Sequence, residues 1–135
     1  MDVEQFVGQC WDVLHGEGTP LEGCPLEESD AQAEAQRRFP NKPHCLVRQW
    51  SRITLECEPE TLAYLASVGL RAAVIFAHQV VFDSANRCPP GSWIRSTYEV
   101  SWDVAGFFES KNTVYVLLGP GVQKTAPLRA VLAIH

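Results

Sequence analysis

Three apolar runs organise the second half of the chain: 72–82, 93–102 and 113–118, separated by polar, breaker-rich connections. The first is β-rich and apolar on both faces apart from His78 and Gln79, which predicts a strand at the centre of a sheet. In the second, Ile94, Ser96, Tyr98 and Val100 alternate with Trp93, Arg95, Thr97 and Glu99. The third follows a hairpin turn at 109–112 and stops at Gly119-Pro120-Gly121. An earlier strand is expected over 44–55, bent near Ser51. Its two faces carry Cys45, Val47, Gln49, Ser51 and Ile53, against Leu46, Arg48, Trp50, Arg52 and Thr54. The tail at 126–134 fits either a short helix or a last strand.

Helical spacing appears ahead of and between these runs. Val3, Phe6, Val7, Cys10 and Leu14 follow the 3,4-spacing of an amphipathic helix, with Asp2 as N-cap and Gly16 and Gly18 ending it. Residues 15–27 read as loop. A second helix, capped by Ser29 or Asp30, runs to Arg38 with a mostly alanine apolar face, which implies a shallow contact. A third starts at Glu58-Pro59-Glu60, buries Leu62, Leu65 and Val68, and ends at Gly69. The pattern predicts a single α+β domain over 1–135, with an acidic helical part at 1–40 and a sheet-forming part at 44–135. The sheet is expected to be antiparallel or mixed, with four to five strands and the N-terminal helices packed on or around it.

Charge changes this picture more than composition does. The net charge of −5 is unevenly placed: nine of the sixteen carboxylates precede the first basic residue, Arg37. Such asymmetry bears on surface potential and partners, not on fold. It argues against nucleic-acid binding by the N-terminal part, where phosphates would be repelled. It favours a protein partner, itself basic, met through Asp12, Glu27, Glu28, Asp30 and Glu34. No apolar run reaches the roughly 20 residues needed to span a bilayer, and the N-terminus lacks a basic leader segment. A cytoplasmic protein is the expectation.

Other chemistry has thinner support. The five cysteines are odd in number and form no Cys-x-x-Cys pair, so reduced buried thiols are expected rather than disulfides or zinc. Residues 119–125 approach a phosphate-binding loop, but the run is one residue short and Gln123 stands where the last glycine belongs. No cofactor is expected. Arg48, Trp50 and Arg52 share one face of the predicted strand, the arrangement of a stacking platform for an anion or single-stranded nucleic acid. A pocket formed by His78, Asp83 and Arg95 at the strand ends is the alternative to an interaction surface. Cys45 or Cys88 beside His78 and Asp83 would be its nucleophilic variant.

The stretches HQVVFDS (78–84), PGSWIRS (90–96), GFFE (106–109) and NTVYVLLGPG (112–121) resemble a small uncharacterised domain family of pseudomonads and their prophages. The resemblance covers the C-terminal half. It implies no cofactor and no catalytic residue; a prophage context implies a host-interaction, inhibitor or anti-defence role. The reading that follows is a non-enzymatic protein-interaction module acting through its acidic surface.

Overall fold

The computed structural model describes residues 2–134. Its elements are α1 (Val3–His15), β1 (Thr19–Leu21), α2 (Glu28–Arg38), β2 (His44–Glu56), α3 (Pro59–Ser67), β3 (Ala73–Asp83), β4 (Ile94–Arg95), β5 (Glu99–Trp102), β6 (Phe107–Ser110), β7 (Val114–Leu117), β8 (Gly121–Pro127) and α4 (Leu128–Leu132). The fold is α+β with a mixed sheet, but the sheet has eight strands rather than four or five. Part of the excess comes from segments read as loop or turn. β1 lies within the predicted loop, and β8 grows out of the glycine-rich turn. The run at 93–102 divides into β4 and β5. The tail supplies both alternatives, the end of β8 and then α4.

β2 holds the sheet together. One edge pairs antiparallel with β3; the other pairs parallel with β7 over its first half and with β8 over its second. The exchange of partners occurs where the backbone breaks. Gln49 has φ of 55° and drops out of the pairing with β3 between Arg48–Gln79 and Trp50–Ala77, the register being the same on both sides; the one register shift of this pair lies earlier, between Leu46 and Val47. Opposite, Gly119 has φ of 68° between β7 and β8, a conformation that favours glycine. The break shifts the alternation of faces. Trp50 therefore packs with Cys45 and Val47 in one apolar cluster instead of with Arg48. The bend falls two residues ahead of Ser51, and the run at 72–82 does lie inside the sheet, between β2 and β4, while β2 has three partner strands.

The sheet curls around that cluster, which gathers Cys45, Val47, Trp50, Ile75, Ala77, Val80, Ile94, Phe108 and Leu117 from five strands. An antiparallel bridge from Arg71 to Glu99 brings β5 back to the residues just ahead of β3. Two further clusters face the helices. One joins Val13 of α1 and Ala130 and Val131 of α4 to Ile53, Leu55, Val74 and Phe76. The other seats Ala31 and Ala35 of α2 on Leu46, Phe107, Val114, Val116 and Leu118. A shallow contact was expected for the alanine face of α2, but Ala31 and Ala35 are fully buried against the sheet. α1 is capped as its sequence implies, Asp2 accepting from the Gln5 amide. α2 starts at Glu28, ahead of the expected caps. Among the described residues, no helix is long and apolar enough to cross a membrane.

Candidate functional site

The acidic residues stay largely at the surface. Asp12, Glu27, Glu28 and Asp30 are exposed, and Glu34 is half-buried. Among these five, Glu34 pairs with Arg37 one turn along α2, and Glu28 approaches Arg48 at 3.8 Å. The Arg37 guanidinium holds the Glu34 carboxyl below its ordinary pKa. α1 adds a second kind of exposed surface. Phe6, Cys10, Val13 and Leu14 pack inward, while Val3, Val7 and Trp11, spaced by four, are 77%, 58% and 58% exposed. Helical periodicity puts these three on one stripe, and it is a stripe the fold leaves uncovered.

Beside it lies an aromatic ladder. Trp11 meets His15 at 5.4 Å between ring centroids, His15 stacks on His78 at 5.7 Å, and Phe76 stacks on Trp93 at 5.8 Å. Phe76 meets His78 edge-on at 5.0 Å, which joins the two halves. His78 Nε2 is 2.9 Å from the Leu14 carbonyl oxygen, tying α1 to β3. An open groove of about 630 Å³ runs along this ladder.

The alternative pocket residues are not brought together. His78 belongs to the ladder. Asp83, at the far end of β3, is buried and accepts from the amides of Ala85, Arg87 and Cys88 and from Arg87 Nε and Nη2. Burial opposes its charge, but the Arg87 guanidinium and these amides outweigh that and lower its pKa. This arrangement folds the 84–88 loop back on the strand end. Arg95 donates to the Val131 carbonyl at 3.0 Å, holding α4. Burial, with Asp83 and Cys88 nearby, pushes the Cys45 thiol up to about 12, so Cys45 is no thiolate nucleophile near neutral pH. Among the described residues, no three His, Cys, Asp or Glu side chains gather in a way that could hold a metal ion.

The predicted Arg48–Trp50–Arg52 platform is likewise taken apart by the break at Gln49. Trp50 is 2% exposed, and its indole N–H is shared by the carbonyls of Leu118 and Gly119 at 3.3 and 3.2 Å. Its ring lies so close to Gly121 that a Cβ there would come within 2.4 Å of it. Arg48 turns to Glu28. Arg52 turns to Glu99, donating from Nε to Oε1 at 2.8 Å and from Nη2 to Oε2 at 3.0 Å.

Glu99 is the residue that sequence reasoning missed. It is fully buried on β5, pairs with both Arg52 and Arg71, and Arg52 lies over the Trp102 ring at 4.5 Å. A lone carboxylate between Tyr98 and Val100 in an apolar run was the available signal. Next to this group is a cavity of about 240 Å³ lined by β1, Trp50, Trp102 and the residues after it.

A family model matches residues 22–133, from the approach to α2 through the end of α4. The chain belongs to the DUF6957 family. That family is described as a domain of unknown function. The match reaches well ahead of the C-terminal half that carries the resemblance, and it takes in α2, β2, Glu99 and the cavity lining apart from Pro20 and Leu21. All of α1, with the Val3–Val7–Trp11 stripe, and all of β1 precede it. Comparison with curated proteins and with solved structures returns no match.

Proposed function

We propose that this domain is a non-enzymatic protein-interaction module that meets a basic partner through its acidic helices. The observation that carries the reading is the exposure of Glu27, Glu28 and Asp30 at the start of α2, together with that of Asp12 on α1, the helix that carries the uncovered stripe of Val3, Val7 and Trp11. Exposed carboxylates steer a cationic partner toward the helices, and the apolar stripe gives it area to bury. A basic, amphipathic protein segment has both complementary properties. A cytoplasmic inhibitor or anti-defence protein of prophage origin is the role that this chemistry and the family resemblance fit together.

The test is capture from a host lysate by wild-type protein and by a Glu27→Lys/Glu28→Lys/Asp30→Lys variant, at low and high salt, read by quantitative mass spectrometry. A basic protein retained by the wild type, and lost both to the variant and to salt, is the expected result. Capture indifferent to charge reversal and to salt would refute the reading. Circular dichroism checks that the variant is folded.

A further inference from the structure

Arg95, parted from His78 and Asp83, lines a cavity of its own. In β4, Ile94 turns into the curled cluster, and alternation sends the next side chain to the outer face, toward α4. There Arg95 Nη1 donates to the Val131 carbonyl at 3.0 Å. Arg95 and Val131 both line a cavity of about 140 Å³ between α4 and the 95–98 segment. Leu55, Val74, Leu128 and Leu132 complete its aliphatic wall. Of the hydroxyls in the lining, Ser96 Oγ is already engaged, accepting from the Ile75 amide and donating to the Thr97 carbonyl.

Arg95 is the one charged residue in that lining. Seven other arginines and lysines pair with carboxylates, but among the described residues no carboxylate pairs with Arg95. Its guanidinium is not sealed off either. Among the described residues, the buried side-chain nitrogen and oxygen atoms without a partner belong to Gln9, His44 and Trp102. The remaining N–H groups of Arg95 are therefore accessible. An arginine fork at the wall of an aliphatic cavity has a definite complement. A carboxylate accepts two parallel N–H bonds from the fork, and a hydrocarbon tail fills the space between leucine and valine. Phosphate would satisfy the cation, but its other oxygens would lose water against an apolar wall. A neutral ligand would fill the space and leave the cation without its counter-charge. The net charge of −5 opposes anions at long range; salt screens it beyond about 8 Å at physiological strength, so the adjacent guanidinium decides.

We infer that this cavity binds a small aliphatic carboxylic acid as its anion, with the carboxylate on Arg95 and the tail against Leu55, Val74, Leu128 and Val131. The volume of about 140 Å³ limits the tail. At roughly 30 Å³ per water-sized group it holds about four or five carbons, and sites for drug-sized ligands begin at about 300 Å³. The inference stands independently of the protein-interaction reading, because neither α1 nor α2 lines the cavity.

The experiment is titration of the full chain with acetate, butyrate, hexanoate, hexanamide and inorganic phosphate at one pH and ionic strength, read by calorimetry and by NMR shifts. The expected result is saturable hexanoate binding with Kd of about 1 mM or tighter. Butyrate, two methylenes shorter, is expected to bind about ten-fold more weakly, and acetate more weakly still. Hexanamide keeps the tail without the charge and is expected to lose at least about ten-fold. Arg95→Gln should weaken hexanoate by about ten-fold or more, with circular dichroism checking the fold because Arg95 also holds α4. Leu132→Asp leaves Arg95 in place and sets a carboxylate on the wall at a position that is 50% exposed; it too should cost at least about ten-fold. No saturable hexanoate binding would overturn the inference. So would hexanamide bound as tightly as hexanoate, phosphate bound more tightly, or hexanoate binding unchanged in Leu132→Asp or in folded Arg95→Gln.

Discussion

Glu99→Gln isolates the buried ion pair at nearly constant shape. Glu99 is fully buried, and the Arg52 side chain is 16% exposed, so neither charge is well served by water. The carboxylate takes two N–H groups of Arg52, at 2.8 and 3.0 Å, and a longer contact from Arg71 at 3.4 Å. Arg71 is 63% exposed and contributes little, about 0–1 kcal/mol for such a pair. An amide keeps one acceptor for Arg52 but turns an NH₂ toward its other N–H. One charge-assisted bond, about 1.5–3 kcal/mol, is then lost. The Arg52 charge also loses its counter-charge, and removing one member of a buried pair typically costs about 3–5 kcal/mol in all. Arg52 retains Gln123 Oε1 at 2.9 Å and the Trp102 ring, which places the expected loss near the lower end, about 3 kcal/mol. With a urea slope of about 2 kcal/mol/M, the midpoint falls by about 1.5 M. The Glu99→Gln/Arg52→Gln double variant should lose less than the sum of the singles, with a coupling of about 2 kcal/mol. A Glu99→Gln loss below about 1 kcal/mol, the level of an exposed pair, would refute the claim that this pair is held in a dry interior.

Two further outcomes follow from the same structure. Asp83 has a folded pKa below its ordinary 3.8, so its contribution is present above that value and is lost as pH falls through the folded one. Urea midpoints should therefore drop on the acid side of about pH 4 in the wild type; in Asp83→Asn the protein starts less stable and its acid limb is shallower, and an unchanged limb would show that other carboxylates carry it. At Gln49, with φ of 55° and an exposed side chain, Gln49→Gly should be neutral or stabilising by up to about 1 kcal/mol, while Gln49→Val should cost about 1–2 kcal/mol by thermal or urea melts, since a β-branched residue resists that conformation.

What was legible in the sequence was local. Asp2 capping α1, the acidic first turns, Pro59 at the start of α3 and the strand over 73–83 each depend on a few neighbouring residues, and each was readable from them. The misreadings share a cause in long-range geometry. Two-sided burial of Ala73–Ala77 marks a strand inside the sheet, and β3 does lie between β2 and β4; that one side of it meets a curled cluster and the other α1 and α4 was not readable from the run. Nothing in the residue type of Gln49 announces a left-handed backbone, since glutamine shows no preference for it. A simple alternation through that point therefore put Trp50 beside Arg48. The same failure of phase hid Glu99, which alternation had aligned with Thr97 and Arg95 although it is buried and they are not.

The break at Gln49 also explains why the Trp102 cavity and the acidic surface belong to opposite sides of one strand. Before it, Leu46 reaches outward to the Ala31–Ala35 face of α2 while Cys45 and Val47 point into the curl. After it, Trp50 continues inward and Ile53 and Leu55 turn out to α1 and α4. A strand of unbroken alternation would have sent Trp50 toward α2 and left Ser51 inside. The change of phase at Gln49 keeps both helices on the outer face along the length of β2, where their carboxylates stay in water. It also sets the Trp50 indole against Gly121 and Gly23 to form the floor of the Trp102 cavity. A single left-handed residue thus permits one long strand to carry Trp50 into the curl and Ile53 and Leu55 out to the helices.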